Sequence, residues 1–297
     1  MPDPSGLTIH ELPDDFRRPV MILAFSGWND AAESATTAAR YLGASWGASR
    51  FAEIDPEDYY HFGLSRPQAR YKDGSETERE IVWPVTEFSL TQRPDLSRDV
   101  IVGVASEPHL RWRTYCATVI ELARRCHVSL VLTLGALLAE VPHTRPVRLS
   151  GSSSDPELVA RLGLRASRYE GPTGIVGVMN TLCREQGFAT ASVWANVPHY
   201  ISGIENPKAA MALVQRVLHL LGAEMDLSDL AEASRQFDTN LKEIVAQNAK
   251  IAGYVKKLET SDAESEPEQE SPPTSDLPPA SELVAEIERF LRQQRPQ

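Results

Sequence analysis

The chain contains 297 residues, of which 42% are hydrophobic and 24% charged, and its formal net charge is -11. Such a chain has enough apolar residues for one large α/β domain or two smaller ones, which excludes a wholly disordered protein. Most of the negative charge lies after residue 258, and no stripe of Lys and Arg with interleaved aromatic residues occurs. Since nucleic-acid binding depends on neutralising phosphates, we expect no nucleic-acid partner.

No apolar run reaches the roughly 18 residues of a membrane span, and residues 1–20 lack the basic start and apolar stretch of a signal peptide. We therefore expect a cytoplasmic protein that does not contact membranes. Its three cysteines, Cys116, Cys126 and Cys183, have no CxxC spacing, and its histidines are scattered. This pattern predicts reduced, buried thiols, no metal site and no bound cofactor.

The first predicted unit is a buried strand over residues 19–25 followed by a helix over residues 30–43. Between them lies a polar turn made of Ser26, Gly27, Trp28, Asn29 and Asp30. A helix capped by Asn29 or Asp30 places this turn at the carboxyl edge of a sheet, where α/β proteins bind ligands. Two interpretations stay open: a capped turn without a ligand, or a site whose free backbone N–H groups hold an anion or another polar ligand. Trp28 favours the second, because a large aromatic side chain in such a turn either packs or recognises something.

Strand and helix patterns then alternate along the chain. Apolar runs predict strands over 50–54, 80–85, 100–104, 128–134 and 192–196, and helical spacing predicts helices over 112–126, 158–162, 175–185 and 208–221. This alternation predicts an α/β fold with a largely parallel sheet flanked by helices, spanning residues 1–225. The serine cluster of residues 150–154, in front of Asp155 and Pro156, is interpreted as a loop with a helix cap.

Three of the turns are candidates for a common ligand pocket. Glu107 and His109 follow a strand end, so they are either a general acid–base pair or ordinary turn residues that form surface ion pairs. The glycines within residues 171–177 either cradle a phosphate or carboxylate or permit close helix packing. The candidate ligand-binding residues are Ser26, Gly27, Trp28, Asn29, Asp30, Glu107, His109, Thr173 and Gly174.

From residue 226 the strand pattern stops and a helical apolar stripe continues to residue 258. We interpret residues 226–258 as a helical appendage that either packs on the preceding domain or contacts another subunit. Asn248 within the stripe is typical of the polar residue that sets register in coiled coils. The candidate subunit contacts in the appendage are Leu241, Ile244, Ile251 and Val255.

Residues 259–280 are rich in Glu, Ser and Pro and predict a disordered acidic linker. Residues 281–293 then have the spacing of a terminal amphipathic helix, with Ile287 and Phe290 on its apolar face. A helix tethered in this way docks either on its own chain or in a groove of a partner.

Several short motifs together resemble one known family. In order they are residues 20–32, Pro56-Glu-Asp-Tyr-Tyr-His-Phe62, Arg79-Glu-Ile-Val-Trp-Pro84, Gly171-Pro-Thr-Gly-Ile-Val-Gly177 and Val197-Pro-His-Tyr-Ile201. Their order and spacing resemble the PAC2 family, the relatives of proteasome assembly chaperone 2, and most of all its actinobacterial branch. The likeness covers roughly residues 5–258. It implies a fold similar to nucleoside phosphorylases and related hydrolases, self-association, and a chaperone role, but it brings no catalytic residues.

The resemblance also raises the question of proteasome contact. Proteasome-binding partners, including chaperones of this wider family, commonly end in a hydrophobic residue, tyrosine and one further residue, whereas this sequence ends Arg295-Pro296-Gln297. A proteasome contact would therefore use another surface, such as the terminal helix.

Two functional hypotheses follow. The sequence contains no GxSxG elbow, no Walker loop and no HExxH motif, so no motif in it identifies a catalytic residue. The preferred hypothesis is a non-enzymatic scaffold or assembly-chaperone-like protein, acting as a homo-oligomer with proteasome subunits or another protein client as partner. The alternative is a small-molecule-binding protein or enzyme of phosphorylase-like or hydrolase-like architecture that uses the loops around Trp28 and Thr173.

Overall fold

The computed structural model describes residues 6–73, 75, 77–163, 165–166 and 169–264. The strands are β1 Leu7–Ile9, β2 Val20–Ser26, β3 Ser49–Ile54, β4 Gln68–Tyr71, β5 Arg79–Val82, β6 Thr86–Thr91, β7 Val100–Ser106, β8 Leu130–Ala139, β9 Leu149–Ser153, β10 Arg165–Ala166 and β11 Ala189–Pro198. The helices are α1 Ser34–Ser45, α2 Trp112–Arg125, α3 Pro156–Leu162, α4 Ile175–Glu185, α5 Pro207–Leu221, α6 Ser228–Gln247 and α7 Ala249–Glu264, with short 3-10 turns at Ala31–Glu33 and His199–Ile201.

A nine-stranded sheet forms the centre, in the order β1-β3-β6-β7-β2-β8-β11-β9-β10. The four middle strands β7, β2, β8 and β11 are mutually parallel, whereas β1, β3 and β6 add antiparallel strands at one edge and β9 pairs antiparallel with β11 at the other. The predicted α/β fold is therefore confirmed. The parallel arrangement is concentrated in the buried centre of the sheet, as expected for strands covered on both faces.

Helices cover both faces of the sheet. On one face α1 packs through Ala35, Ala38 and Ala39, which are fully buried, so the helix approaches the strands closely. Helix α5 lies beside it on the same core. On the other face α2 and α4 pack against the sheet through a second core that includes Phe25 and Tyr115. No helix in the described ranges combines the length and apolarity that crossing a membrane requires.

One predicted loop is a strand instead. Residues 149–153 form β9, which pairs antiparallel with β11 along Ala191–Ala195. The serines there have a low intrinsic strand preference, so the ladder to β11 determines the conformation rather than the local sequence. The predicted helix cap after them is confirmed, because the Asp155 side chain accepts a hydrogen bond from the Glu157 backbone N–H at 2.9 Å.

A separate β-hairpin leaves the main sheet between β3 and β6. Its strands β4 and β5 pair with each other, and among the described residues they make a two-stranded sheet of their own. The predicted strand at 80–85 corresponds to β5, which ends at Val82, and its partner β4 was missed. Strand β4 carries Gln, Arg and Tyr rather than an apolar run, which left no signal for it.

The helical stripe after residue 226 consists of a pair of helices, one of the forms that the apolar stripe allows. Helix α6 ends at Gln247, and the side-chain oxygen of the next residue, Asn248, accepts hydrogen bonds from Lys250 N at 3.0 Å and Ile251 N at 3.2 Å. Asn248 therefore starts α7 as a cap and does not act as a register residue of a coiled coil. Helix α7 continues to Glu264, into the range predicted as a linker. The rest of that linker and the terminal helix, with Ile287 and Phe290, lie outside the described residues.

The helix pair packs on its own domain. Its apolar residues form a cluster with the Tyr200 and Ile201 side chains, and the candidate subunit contacts are only 1–5% exposed: Leu241, Ile244, Ile251 and Val255. This arrangement agrees with the interpretation that the appendage packs on the preceding domain, because these four side chains contact the same chain. They would reach another subunit only if α6 and α7 left this position.

Candidate functional site

The three candidate loops converge at the carboxyl edge of the sheet. Strands β2 and β7 are parallel neighbours in register, with Ser26 opposite Ser106, so the turns that follow them leave the sheet side by side. The Ser26 hydroxyl donates to the Ser106 hydroxyl at 3.1 Å, and Glu107 N donates to Ser26 O at 2.9 Å. The third loop, Thr173 and Gly174 directly before α4, reaches the same edge from the face of the sheet that α4 covers.

The Glu107 carboxylate joins the three loops. Its Oε1 atom accepts a hydrogen bond from the Asn29 side-chain Nδ2 at 2.8 Å and another from Ile175 N at 2.7 Å. Ile175 is the first residue of α4, a helix whose own N-cap residue, Gly174, has no side chain to cap it. A carboxylate from a different loop therefore caps this helix, which is favourable at the positive end of the helix dipole.

Gly174 permits this close approach. A β-carbon at this position would lie 2.3 Å from Asn29 Oδ1 and 2.7 Å from Glu107 Oε1. Gly177 has a similar role one turn later, since its β-carbon would meet the Thr173 hydroxyl. Of the two interpretations of these glycines, close packing explains both positions.

Asp30 caps the first helix and takes no part in the pocket lining. Its carboxylate accepts hydrogen bonds from Ala35 N at 2.6 Å and from the Thr36 hydroxyl at 2.5 Å. The chain reaches α1 through Ala32 and Glu33, which both adopt left-handed backbone conformations. Burial raises the pKa of Asp30 above its ordinary value, and the hydrogen bonds from Thr36 and Ala35 oppose that rise.

Asn29 is completely buried, and its side-chain Oδ1 lacks a hydrogen-bond partner among the described residues. Its backbone oxygen accepts from Ala136 N at 2.8 Å, which ties the turn to β8. The predicted cap of the helix is thus Asp30 rather than Asn29. Asn29 instead orients Glu107.

A surface pocket of about 270 Å³ opens in front of Glu107. Its lining residues are Trp28, Glu107, Trp112, Pro172, Thr173 and Gly174. Trp28 is 64% exposed, so its indole stands at the mouth of the pocket, and none of the described residues covers it. Four of the predicted ligand-binding residues therefore line one cavity, namely Trp28, Glu107, Thr173 and Gly174. Ser26 and Asn29 do not line the cavity but hydrogen-bond to Glu107, whereas Gly27 and Asp30 lie in the same turn outside the lining.

Trp112 was not predicted as a site residue. It is the first residue of α2, and its indole N–H donates to the Pro108 backbone oxygen, which fixes the ring beside Glu107. In the sequence its position within the apolar spacing of α2 made it indistinguishable from a core residue. The only available signal was its place directly after the Glu107 turn.

His109 does not face Glu107 across the pocket. Its Nδ1 accepts a hydrogen bond from His61 N at 3.2 Å, its backbone N donates to Tyr59 O, and its ring lies edge-on to Tyr60 at 5.9 Å. Arg111 pairs with Asp58 at 2.6 Å. Of the two interpretations of this turn, the acid–base pair is therefore not formed, and the loop of residues 56–61 provides the partners of His109 and Arg111.

A second polar cluster lies where the helix pair meets the domain. His143 is 5% exposed, and its Nδ1 and backbone N both lie 2.8 Å from the Tyr200 hydroxyl. Lys208 Nζ donates to His143 O at 2.7 Å and pairs with Asp238 of α6 at 3.2 Å. The Tyr200 hydroxyl accepts from the His143 backbone N–H and forms a second hydrogen bond with the His143 Nδ1 atom. The adjoining cavity holds about 20 Å³, too little for a ligand beyond a water molecule.

This cluster predicts a loss of stability in mild acid. Burial and, after it, the charge of Lys208 lower the pKa of His143 from 6.5 to about 4, although Asp238 and Glu259 oppose the shift. The unfolded chain therefore binds the proton first, so the stabilisation is present above pH 6.5 and is lost as the pH falls towards 4. Between pH 8 and pH 5 we expect His143 to account for a loss of roughly 2 kcal/mol in the free energy of unfolding.

Urea unfolding at the two pH values measures this effect. The variant His143→Gln removes the titrating group, so its free energy of unfolding is expected to change less between pH 8 and pH 5 than that of the original protein. Equal pH dependence in both proteins would show that His143 is not the group responsible.

Within the described ranges, no group of three or more His, Cys, Asp or Glu residues has an arrangement that could hold a metal ion. The cysteines Cys116, Cys126 and Cys183 are buried and unpaired with one another, and burial raises the pKa of each thiol to about 12. Thiols with such a high pKa are poor nucleophiles at neutral pH.

Comparisons of the sequence and of the structure with known proteins indicate the same family. The sequence model of the PAC2 family matches residues 24–245. A PAC2 family protein from Streptomyces avermitilis is 40% identical, and the match covers 80% of this chain and 99% of that one with a TM-score of 0.73. A proteasome-assembly chaperone homologue from Mycobacterium tuberculosis is 41% identical over 80% and 99% of the two chains, with a TM-score of 0.72.

A more distant structure shares the fold. PbaB, an archaeal proteasome activator from Pyrococcus furiosus, is 18% identical over 80% of this chain and 97% of its own, with a TM-score of 0.65. At that identity the likeness concerns the fold alone. No curated protein matches the chain.

Proposed function

The chain belongs to the PAC2 family, and we propose that it is a non-enzymatic scaffold of the assembly-chaperone type, working in the cytoplasm as a homo-oligomer. Its proposed clients are proteasome subunits or another protein. The similarity to a proteasome-assembly chaperone homologue supports this role. The arrangement of the candidate site supports it as well, because His109 points away from Glu107 and the Asp30 carboxylate is occupied as a helix cap.

The observation that carries the proposal is the exposed apolar surface around the β4–β5 hairpin. We call this surface the hairpin patch, and it consists of Leu64, Tyr71, Ile81 and Trp83, which are 73%, 53%, 53% and 44% exposed. Tyr71 lies opposite Arg79 and Ile81 opposite Ala69, so Tyr71 and Ile81 share one face of the hairpin. Exposed apolar side chains that cluster in this way are typical of protein-binding surfaces.

The hairpin would also gain stability from a partner that packs against it. A two-stranded hairpin is marginally stable in water on its own, and the described part of the chain offers no third strand to β4 or β5. Packing the Tyr71 and Ile81 face against a second copy of the chain would stabilise the hairpin and cover the hairpin patch. The contact surface is therefore assigned to the hairpin rather than to α6 and α7, whose apolar residues are already buried.

Site-specific photo-cross-linking tests the proposal. A photo-reactive residue in place of Ile81 is expected to cross-link the full-length chain to a second copy and to a client, identified by mass spectrometry after purification from the protein's own cells. The control position is Gln236, which is exposed on α6. Cross-links that are as frequent from Gln236 as from Ile81 would contradict the assignment of the hairpin as the contact surface.

A further inference from the structure

We infer that the pocket in front of Glu107 binds an organic cation, namely a guanidinium or ammonium group on a short stem. The Glu107 carboxylate supplies the counter-charge, and the indoles of Trp28 and Trp112 supply the walls. The inference goes beyond the proposed scaffold role, since it concerns a different surface from the hairpin patch.

The negative charge of Glu107 at the start of α4 determines whether the pocket favours an anion or a cation. A helix start rich in glycine attracts phosphates and carboxylates, because its first N–H groups are free. Here Glu107 Oε1 already accepts from Ile175 N at 2.7 Å and from Asn29 Nδ2 at 2.8 Å. A free anion in the pocket would meet a like charge, so the preference of the site is for a cation.

The Glu107 charge has no basic partner in the pocket. The other lining residues are uncharged, and no ion pair involving Glu107 occurs among the described residues. Its second oxygen, Oε2, likewise receives no hydrogen bond from any residue that the structure describes. A carboxylate oxygen held in place by its neighbour's two hydrogen bonds is a strong acceptor for an N–H group of a cation.

The two indoles suit the same ligand. Tryptophan is the aromatic side chain that attracts a cation most strongly over its ring face. Trp112 is held by its hydrogen bond to Pro108 O, whereas Trp28 stands 64% exposed at the mouth. An exposed indole next to a carboxylate without an ion-pair partner has a functional explanation as the wall of a cation site and no packing explanation among the described contacts.

The pocket has room for one side-chain-sized group. Its volume of about 270 Å³ lies below the roughly 300–1,000 Å³ of cavities that enclose drug-sized ligands. Thr173 and Pro172 at the rim are exposed, so a stem can enter from solvent. A basic side chain of a protein and a free alkylamine share the required chemistry.

Calorimetric titration of the full-length protein tests the inference with four probes. N-acetyl-arginine amide represents a protein side chain, and agmatine represents a free amine. N-acetyl-citrulline amide is the neutral isostere of the first, and inorganic phosphate is the anion. We expect at least one cation to bind about tenfold or more tightly than the citrulline probe and phosphate to show no binding. Tighter binding of N-acetyl-arginine amide would identify a protein side chain as the ligand, and tighter binding of agmatine would identify a free amine.

Two variants and a control connect the binding to the pocket. Glu107→Gln keeps an oxygen for Ile175 N but removes the charge, and Trp28→Ala removes an exposed wall whose loss leaves the core intact. Each is expected to weaken binding of the cation by about tenfold or more. The control Leu12→Ala, at an exposed position that lines neither the pocket nor the hairpin patch, is expected to leave binding unchanged.

The inference is overturned if the citrulline probe binds as tightly as the arginine probe, if phosphate binds, or if Trp28→Ala has no effect. Trp28→Ala carries the test even if Glu107→Gln disturbs α4. Failure of this inference leaves the hairpin cross-linking and the oligomeric state unaffected, so the two proposals are tested independently.

Discussion

Replacing Tyr71 and Ile81 together by glutamate is expected to dissociate the proposed homo-oligomer into monomers. Both side chains lie on the same face of the hairpin and are 53% exposed in the single chain. In an interface the two glutamates would bring charge into an apolar contact, where Arg79, opposite position 71, can pair with only one of them. Apolar anchors at the centre of an interface are worth about 2 kcal/mol or more each. We expect the dissociation constant to rise by about a thousandfold, measured by sedimentation velocity over a range of protein concentrations.

The matched control for this substitution is Leu138→Glu. Leu138 is 49% exposed but lies at the end of β8, away from the hairpin. The control is expected to keep the mass distribution of the original protein. Circular dichroism and thermal unfolding show whether the double variant is still folded, since both substituted positions are on the surface. An unchanged oligomer in the folded double variant would remove the hairpin as the contact surface.

Gly174→Ala is expected to lower the free energy of unfolding by about 2–4 kcal/mol, because overpacking and a disturbed buried hydrogen-bond group act together. The added methyl group would lie 2.3 Å from Asn29 Oδ1 and 2.7 Å from Glu107 Oε1, so both side chains must move. Movement of Glu107 also weakens its hydrogen bond to Ile175 N and removes the cap of α4. Urea unfolding at pH 8 measures the change.

Gly253→Ala is the control for this substitution. Gly253 lies within α7, and no atom of the described residues comes within 4 Å of the place that its β-carbon would take. Alanine at an open helical position is expected to stabilise by up to about 1 kcal/mol. Equal effects of the two alanine substitutions would contradict the close contact of Gly174 with Asn29 and Glu107.

The parts of the fold that were predicted from the sequence are those that depend on local signals. Strand β8 is a continuous apolar run, and Asp30 precedes a helix with a buried alanine face, so both follow from neighbouring residues. Strand β9 depends on its ladder to β11, and the break between α6 and α7 depends on the hydrogen bonds of Asn248. Such partners are distant or ambiguous in the sequence, so β9 and the position of the break were not predicted.

The sequence predicted which turns come together at the candidate site, but not the hydrogen bonds that their residues form. Parallel strands end at one edge of a sheet, which is why the turns after β2 and β7 were expected to come together. The contact between Glu107 and Ile175 N spans 68 residues and cannot be inferred from spacing. It occupies a backbone N–H group at the start of α4 that a phosphate or carboxylate would otherwise use.

Substitutions at buried positions do not distinguish a scaffold from an enzyme. Polar changes at Asp30 or charged changes at Leu241 would both destabilise the fold, since these residues are 6% and 2% exposed. Either variant would lose function under either hypothesis. Exposed positions separate the hypotheses instead: the hairpin patch for protein contacts, and Trp28 for a ligand.

The central claim is that the chain works as a homo-oligomeric scaffold for protein clients, and native mass spectrometry of the full-length protein from its own cells tests it most directly. We expect a homo-oligomer that carries a co-purifying protein, such as a proteasome subunit, and that loses both contacts in the Tyr71→Glu, Ile81→Glu double variant. A monomer at every protein concentration, without any co-purifying protein, would contradict the claim.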